Sequence, residues 1–326
     1  MAFVVLVVGW IVLGLLGLKV LYSLFNFIYC VKLSAALGHS LDLRRYGPWA
    51  VVTGATDGLG EAYAWKLASL GMNIVLIGRS HSKLQEVAYD IKREHRTIQI
   101  RTIAADFTEG ESIYPLLKFE LVNLPSGVGM LINNVGMDVA TSQFDVLSPE
   151  EEIQKIINCN IMAMARLTNL LLPGMRSRQR GIIINVGSIW GTGTWCSTDQ
   201  FEPCSIIYGA TKAFVDKFSH DLAVECRQDG IIVQSVMPTV LATKMHGLQD
   251  MPSMFVPKPE TFVDANFSTL GIESRTAAYW LHKILLYWRE VLHFTLPGSI
   301  AQWFSRKIYV GIKVQKLWTE KMTTVK

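Results

Sequence analysis

The chain has 326 residues, of which 50% are hydrophobic and 18% are charged, and its formal net charge is +4. This composition excludes an intrinsically disordered protein, and the small net charge provides no field that would attract nucleic acid. Five cysteines without a CxxC pair exclude a disulfide scaffold, and seven histidines without an HExxH motif argue against a metal site. We therefore expect no metal and no nucleic-acid partner, and the length suits one large α/β domain with attached segments.

The first segment of the chain, residues 2–18, is an apolar run without charge or proline. It approaches the length of about 20 apolar residues that crosses a bilayer. The alternatives are a buried core helix and a cleaved signal peptide, which would have a basic n-region and an apolar run of about 7–15 residues. We favour an uncleaved membrane anchor over residues 1–31 and a linker over 32–47. Because Lys and Arg follow the apolar run and none precedes it, the positive-inside rule places the main domain in the cytosol.

The next segment predicts a strand at 49–53, a helix at 61–69 and a second strand at 73–77, with glycines at the first turn. Such a βαβ unit binds the pyrophosphate of a dinucleotide at the N-terminus of its helix. Gly58 allows close backbone approach, and Gly60 allows the helix to pack closely on the strand. We assign six residues of this turn to cofactor binding: Gly54, Thr56, Asp57, Gly58, Leu59 and Gly60.

The end of the second strand indicates which dinucleotide is bound. An acidic residue about 20 positions after the glycines would bind the ribose hydroxyls of NAD. The sequence has Arg79 there, followed by Ser80. A guanidinium suits the 2′-phosphate of NADP, whereas the alternative is a solvated surface arginine. Since the acidic residue is also missing, we expect NADP(H) rather than NAD(H).

Two further strands are predicted at 100–105 and 130–132. Asp106 follows the first, where it is expected either near the adenine ring or as the N-cap of the next helix. The run Asn133-Asn134-Val135-Gly136 follows the strand at 130–132, and its small polar residues are expected to line the cofactor crevice and to pin the strand ends.

The second half of the domain carries residues suited to acid–base chemistry. A long helix predicted over 151–172 contains Asn160, and Ser188 follows a buried strand. Tyr208 and Lys212 share one helix face at i and i+4. An ammonium at that spacing lowers the pKa of a phenol, normally about 10, so that the tyrosine can act as an acid at neutral pH. The alternative is an amphipathic helix with a packed tyrosine and a solvated lysine.

Six motifs in chain order together resemble the short-chain dehydrogenase/reductase family over roughly residues 49–269. They are Thr53-Gly54-x3-Gly58-x-Gly60, Asn133-Asn134-x-Gly136, Asn160, Ser188, Tyr208-x3-Lys212 and Pro238-x-Val240-x2-Thr243. More narrowly, residues 49–58, 131–137 and 242–244 resemble the membrane-bound 17β-hydroxysteroid dehydrogenases of types 3 and 12. The resemblance implies a doubly wound parallel Rossmann-type α/β sheet over residues 48–270. Amphipathic helices over 271–326 would lie on a membrane or cap the substrate pocket.

The resemblance also assigns catalytic roles. Tyr208 would donate a proton to the substrate carbonyl oxygen, and Ser188 would donate a hydrogen bond to the same oxygen. Lys212 would lower the tyrosine pKa and hold the nicotinamide ribose, while Asn160 would hold a water that connects this lysine to solvent.

The same resemblance assigns cofactor contacts and a partner. Val240 and Thr243 would contact the nicotinamide side of the cofactor, as would Tyr208 and Lys212. A homodimer formed through the helices that carry Asn160 and Tyr208 is usual in the family.

For the substrate, the resemblance implies a lipid ketone that is reduced with NADPH at the cytosolic face of the endoplasmic reticulum membrane. The first expectation is a 17-ketosteroid reduced to its 17β-alcohol, as in androstenedione to testosterone. The alternative is very-long-chain 3-oxoacyl-CoA reduction in fatty-acid elongation. Thr323 and Thr324 replace the dilysine signal associated with type 12 enzymes, which favours the type 3 branch. A non-catalytic scaffold or NADPH-sensing protein is the third reading, and retention of the catalytic residues argues against it.

One departure from the family pattern concerns the interval between Ser188 and Tyr208, which is longer than usual. The additional residues lie within 192–205 and are expected to border the substrate pocket. A disulfide between Cys196 and Cys204 is disfavoured if the domain faces the reducing cytosol.

Overall fold

The computed structural model describes residues 2–29, 41–138, 150–192, 206–295 and 300. Its centre is a seven-stranded parallel sheet in the order β3-β2-β1-β4-β5-β6-β7. The strands are β1 Trp49–Thr53, β2 Asn73–Gly78, β3 Ile100–Ala104, β4 Val128–Asn133, β5 Gly181–Val186, β6 Ile231–Val236 and β7 Arg275–Thr276. The predicted doubly wound Rossmann-type sheet is confirmed.

Nine α-helices lie within the described residues. They are α1 Ala2–Ile28, α2 Gly58–Ser69, α3 His81–Glu94, α4 Tyr114–Val122, α5 Glu150–Ile157, α6 Ala163–Ser177, α7 Ile206–Glu225, α8 Pro259–Phe267 and α9 Trp280–Thr295. The single helix predicted over 151–172 is divided, because a π-helical turn at Asn158–Met162 separates α5 from α6. Such wide turns are frequent at functional sites.

The central strands β1, β2, β4 and β5 are mostly apolar and buried because both faces of the sheet are covered there. Side chains alternate along β1, so that Ala50 and Val52 join the core cluster on one face and Val51 joins the cluster on the other. Helices α2, α3 and α8 cover the first face, and α4, α6 and α7 cover the second. Both clusters end at the carboxyl edge of the sheet, where the chain leaves β1 and β4 in opposite directions. That divergence opens a crevice, which is where ligands bind in sheets of this kind.

A buried chain of polar side chains fixes β4 and β5 to the helices behind them. Asn133 Nδ2 donates to Asn185 Oδ1 at 2.8 Å and to Thr168 Oγ1 at 3.2 Å. Asn185 Nδ2 donates in turn to Ser219 Oγ at 2.9 Å, on α7. Because buried polar groups are costly without partners, these bonds specify how α6 and α7 lie on the sheet.

Helix α9 places its inner face on the domain. Leu286 packs with Ile189 and Met237, which follow β5 and β6, while Trp288 on the outer face is exposed. This contact agrees with one of the two alternatives predicted for residues 271–326, that the segment packs on the domain as a cap rather than lying on a membrane, and it does so only for the start of that segment. Residues 301–326, with the remainder of that segment, lie outside the described residues.

Helix α1 exposes large apolar side chains, among them Phe3 and Trp10. Over the part of the chain that the structure describes, no helix is both long and apolar enough to cross a membrane. The membrane anchor and the location at the endoplasmic reticulum stay predictions.

We expect Gly60→Ala to destabilise the fold strongly. A Cβ at Gly60 would lie 2.1 Å from the Gly54 carbonyl oxygen, which belongs to the backbone and cannot move aside cheaply. The free energy of unfolding should fall by about 3 kcal/mol or more, and the thermal unfolding midpoint measures the loss.

Gly174→Ala is the matched control, because Gly174 also lies in a helix but its Cβ would meet only the end of the Arg178 side chain, at 3.4 Å. This variant should gain about 0.5–1 kcal/mol from the higher helix propensity of alanine. Equal midpoints for the two variants would contradict the steric explanation.

Candidate active site

A cavity of about 370 Å³ lies along the carboxyl edge of the sheet. Each strand from β1 to β6 contributes the residues that follow its last position, so the cavity crosses the crevice between β1 and β4. Arg79, after β2, lies toward one side of the sheet, and Tyr208 and Lys212 lie toward the other, beside β5 and β6. The cavity therefore extends across the strand ends and suits an elongated ligand.

The glycine-rich turn after β1 is shaped for close approach to a ligand. Gly54 and Gly58 have φ values of 64° and 55°, which side-chain-bearing residues rarely adopt. Gly60 lies instead against the Gly54 carbonyl, as helix–strand packing requires, and it does not line the cavity. The remaining predicted turn residues line the cavity: Gly54, Thr56, Asp57, Gly58 and Leu59.

The hydroxyl of Thr53 joins the ends of β1 and β4. Thr53 Oγ1 donates to the Ile132 carbonyl at 3.2 Å and accepts from the backbone N–H groups of Asn134 and Val135 at 3.0 and 2.9 Å. Asn134 Nδ2 donates back to the Thr53 carbonyl at 2.9 Å. These hydrogen bonds hold the floor of the crevice together at the ends of the two strands.

Cationic and hydroxyl groups gather after β2. Arg79 and Ser80 line the cavity as predicted from the sequence, together with Lys83, which sequence reasoning missed. Ser80 caps α3, since its Oγ accepts from the Lys83 N–H at 3.4 Å. The signal that could have found Lys83 is its place in the first turn of a helix that begins beside Arg79. Two cations and a helix N-terminus suit a phosphate.

Asp106 has the capping role that was one of its two predicted roles, and the predicted place near the adenine ring stays a prediction. Its carboxylate accepts from Thr108 N and Oγ1 at 2.9 and 2.8 Å, which makes it the N-cap of the following turn. It also lines the cavity.

Lys212 is buried and its ammonium is held at the β5 end. Nζ donates to the Val186 carbonyl at 2.9 Å and lies 5.6 Å from the centre of the Tyr208 ring. Burial lowers the pKa of Lys212 to about 8, while Cys159 and Asp138 oppose that shift. The surface-lysine alternative does not fit these facts, and the ammonium can act on the phenol beside it.

Ser188 is buried at the start of the turn that follows β5. Its Oγ accepts from the Trp190 N–H at 3.3 Å, which leaves the hydroxyl hydrogen for donation into the cavity that Ser188 lines. The next residue, Ile189, donates its N–H to the Pro238 carbonyl at 3.0 Å, so the turns after β5 and β6 are fastened together.

Asn160 lies in the π-helical turn, outside the cavity wall. Its Oδ1 accepts from Met137 N at 2.8 Å, and its Nδ2 donates to the Met137 carbonyl at 2.9 Å and to Thr211 Oγ1 at 3.0 Å. The Thr211 hydroxyl donates onward to the Tyr208 carbonyl at 2.8 Å. The side chain thus ties the β4 loop to the helix of Tyr208, and the water predicted beside it stays a prediction.

Three predicted cofactor residues do not line the cavity: Gly60, described above, Asn133 and Val240. The side chain of Asn133 points into the polar chain behind the sheet, because side chains alternate along β4. Val240 packs against Ala242 and its apolar neighbours, whereas Thr243 lines the cavity. The lining residues that sequence reasoning did not assign include Met137, Cys159, Thr239, Leu241 and Lys244.

His282 on α9 connects the C-terminal segment to the cavity wall. Its Nδ1 lies 3.5 Å from the N–H of Thr239, and its Nε2 lies 3.3 Å from the Phe255 carbonyl. The proton is therefore on Nε2. Burial lowers the pKa of His282 to about 4, although the bond to the Phe255 carbonyl opposes this.

With this geometry in place, similarity to known proteins identifies the family. A family model described as short chain dehydrogenase matches residues 48–251. The chain belongs to the short-chain dehydrogenase family. The very-long-chain 3-oxoacyl-CoA reductase of Mus musculus is 42% identical over 93% of this chain and 91% of its own, and that of Homo sapiens is 41% identical over 91% and 88%. Hydroxysteroid dehydrogenase-like protein 1 of Gallus gallus is 36% identical over 89% and 86%.

A solved structure of a family member agrees with the cofactor expected from Arg79. A short-chain dehydrogenase from Sphingobium yanoikuyae in complex with NADPH superposes with a TM-score of 0.61 at 28% identity, over 77% of this chain and 96% of its own. The glycine cradle, the cations after β2 and the buried Lys212 fit such a dinucleotide. The chain is an NADP(H)-dependent oxidoreductase of the short-chain dehydrogenase family.

We expect the fold to lose stability below neutral pH through His282. An unfolded histidine titrates near 6.5, so between that pH and about 4 the unfolded chain binds a proton that the folded chain does not. Lowering the pH from 7 to 5 should reduce the free energy of unfolding by about 2 kcal/mol through this group. Denaturation midpoints at the two pH values measure the loss, and His282→Gln should remove this share of it. An unchanged pH slope in the variant would contradict the assignment.

Proposed function

We propose that the protein reduces the 3-oxo group of a long-chain acyl-CoA to a hydroxyl group. The observation that carries the proposal is the similarity, along nearly the whole chain, to mammalian proteins named very-long-chain 3-oxoacyl-CoA reductase. The arrangement of Ser188, Tyr208 and Lys212 beside a dinucleotide cavity supports the ketone chemistry. Acyl-CoA reduction is the alternative hypothesis from the sequence, and we now prefer it to steroid reduction.

The residues of the chain supply position and proton transfer. When bound, NADPH supplies a hydride for the carbonyl carbon of the substrate. Ser188 donates a hydrogen bond to the carbonyl oxygen, and Tyr208 donates its phenolic proton to that same oxygen. The Lys212 ammonium stabilises the phenolate that remains, which is why it must stay charged while buried.

A second candidate is the reduction of a 17-ketosteroid. It is favoured by the motif resemblance at residues 49–58, 131–137 and 242–244, and by similarity to a hydroxysteroid dehydrogenase-like protein. Both substrates are lipids with a ketone, so they demand the same chemistry at Tyr208 and differ in what surrounds it. Residues 193–205, where a substrate-bordering loop and its Cys196 and Cys204 are predicted, lie outside the described residues.

Attachment to the endoplasmic reticulum membrane, with the domain facing the cytosol, belongs to the same proposal. The exposed Phe3, Trp10 and Tyr22 of α1 support contact with lipid, because large apolar surfaces are rarely left in water. A lipid substrate would be concentrated at such a surface. The homodimer through the helices of Asn160 and Tyr208 also stays a prediction.

The proposal is tested by NADPH oxidation with the full-length protein in detergent. A long-chain 3-oxoacyl-CoA should be turned over with a higher kcat/KM than androstenedione. Tyr208→Phe should lower kcat by about 10²–10⁴-fold, because it lacks the proton donor, while still binding NADPH. Turnover of the steroid alone would overturn the acyl-CoA reading in favour of the second candidate, and equal activity of Tyr208→Phe would overturn the role of the tyrosine.

The pH profile should report Lys212. As the pH rises through about 8, the ammonium is lost, and with it the charge that assists the tyrosine. We expect kcat/KM for reduction to fall over that range. Lys212→Met should have a low kcat/KM at every pH and should not show the fall near pH 8. A wild-type profile that stays flat well above pH 8 would contradict the assignment.

A further inference from the structure

An ion pair crosses the cofactor cavity between two segments far apart in sequence. Lys244 Nζ lies 2.8 Å from Asp57 Oδ2, and both residues line the cavity. Asp57 belongs to the glycine-rich turn before α2, and Lys244 follows Thr243 in the segment after β6. Both side chains are largely exposed, at 41% and 69%, so the pair itself contributes little stability. Its position, rather than its strength, calls for an explanation.

The carboxylate of Asp57 lies at the N-terminus of α2, where the negatively charged pyrophosphate of the cofactor is expected to bind. Asp57 occupies the N-cap position of α2, yet its side chain makes no capping bond to the helix. The N-terminus of this helix is where the two negative charges of a dinucleotide pyrophosphate are bound in such folds. An unbalanced carboxylate there would repel the ligand by Coulomb's law.

A second carboxylate lies one turn further along α2. Burial raises the pKa of Glu61, Asp57 adds to that increase, and Lys244 opposes it. The ammonium of Lys244 therefore balances the acidic side of the turn on which the phosphates are to be placed.

The backbone holds Lys244 close to the turn even when its side chain moves. A Cβ at Gly58 would lie 3.2 Å from Cγ2 of Thr243, so the segment rests directly on the glycine. Leu248 N donates to the Thr243 carbonyl at 3.1 Å, which closes a short helical turn around Lys244. The flexible side chain can exchange a carboxylate oxygen for a phosphate oxygen without any movement of the sheet.

We propose that Lys244 is a cofactor-binding residue that neutralises the pyrophosphate, and that Asp57 is its positioning partner. The role differs from that of Arg79 and Lys83, which line the cavity after β2 and are expected to bind the 2′-phosphate. The pyrophosphate is common to NADPH and NADH, whereas the 2′-phosphate belongs to NADPH alone. The proposal concerns the cofactor only and does not depend on which ketone is reduced.

The test is the dissociation constant of NADPH and of NADH for the full-length protein in detergent, measured by calorimetry without substrate. Lys244→Gln should weaken both cofactors by the same factor, about tenfold, and make binding less sensitive to salt. Lys244→Arg should restore binding because the charge is kept. Arg79→Ala should instead weaken NADPH much more than NADH.

Two further variants separate charge from structure. Asp57→Asn combined with Lys244→Gln should bind more tightly than Lys244→Gln alone, because the repelling carboxylate is gone. Lys217→Gln is the matched control, since Lys217 forms a similarly exposed pair with Asp221 that does not line the cavity, and it should leave both dissociation constants unchanged.

The thermal unfolding midpoint of each variant shows that it is folded. A Lys244→Gln protein that binds both cofactors like the wild type would overturn the proposal and leave only a surface ion pair. Weakening of NADPH without NADH would overturn it too, because Lys244 would then belong to the 2′-phosphate site.

Discussion

The architecture of the site depends on how closely β1, β4 and α2 approach one another at the crevice. The Gly54 carbonyl and the Asn134 side-chain amide occupy the space that a Cβ at Gly60 would need. The hydroxyl of Thr53 accepts hydrogen bonds from two successive N–H groups of the loop after β4, and these bonds fix the start of that loop. The positions of Val135 and of Met137, which bonds to Asn160, therefore depend on these contacts of Thr53.

A second dependence concerns charge. The fold buries a lysine, which opposes folding, and holds its ammonium against a backbone carbonyl beside a tyrosine. The lowered pKa of Lys212 is the sign of that cost. The Asn160 amide and the Thr211 hydroxyl keep the surrounding helices in register. Two residues that do not line the cavity, Asn160 and Thr211, thus help to position the helix of Tyr208.

Local spacing in the sequence predicted most of this arrangement and missed what depends on distant contacts. The sheet, the glycine turn, Arg79 and the Tyr208–Lys212 pair were foreseeable, because each rests on residues a few positions apart. Asn133 was misplaced, since periodicity alone did not tell which of two adjacent asparagines faces the crevice. The contact of Lys244 with Asp57 joins residues that no local pattern relates. The similarity to named relatives favours the alternative substrate over the first one. Local spacing could not rank the two, because the chemistry of the ketone is encoded locally and the shape around it is not.

The packing of α9 has a consequence for chains that end early. A stop anywhere between residues 277 and 279 would leave all seven strands and the glycine turn in place. It would remove Leu286 and His282, which cover Met237 and hold Thr239 beside the cavity. Such a shortened protein would keep the glycine turn that is expected to hold a dinucleotide. The cavity wall at Thr239 would lose its support. Late truncation would then impair turnover more than it impairs cofactor binding.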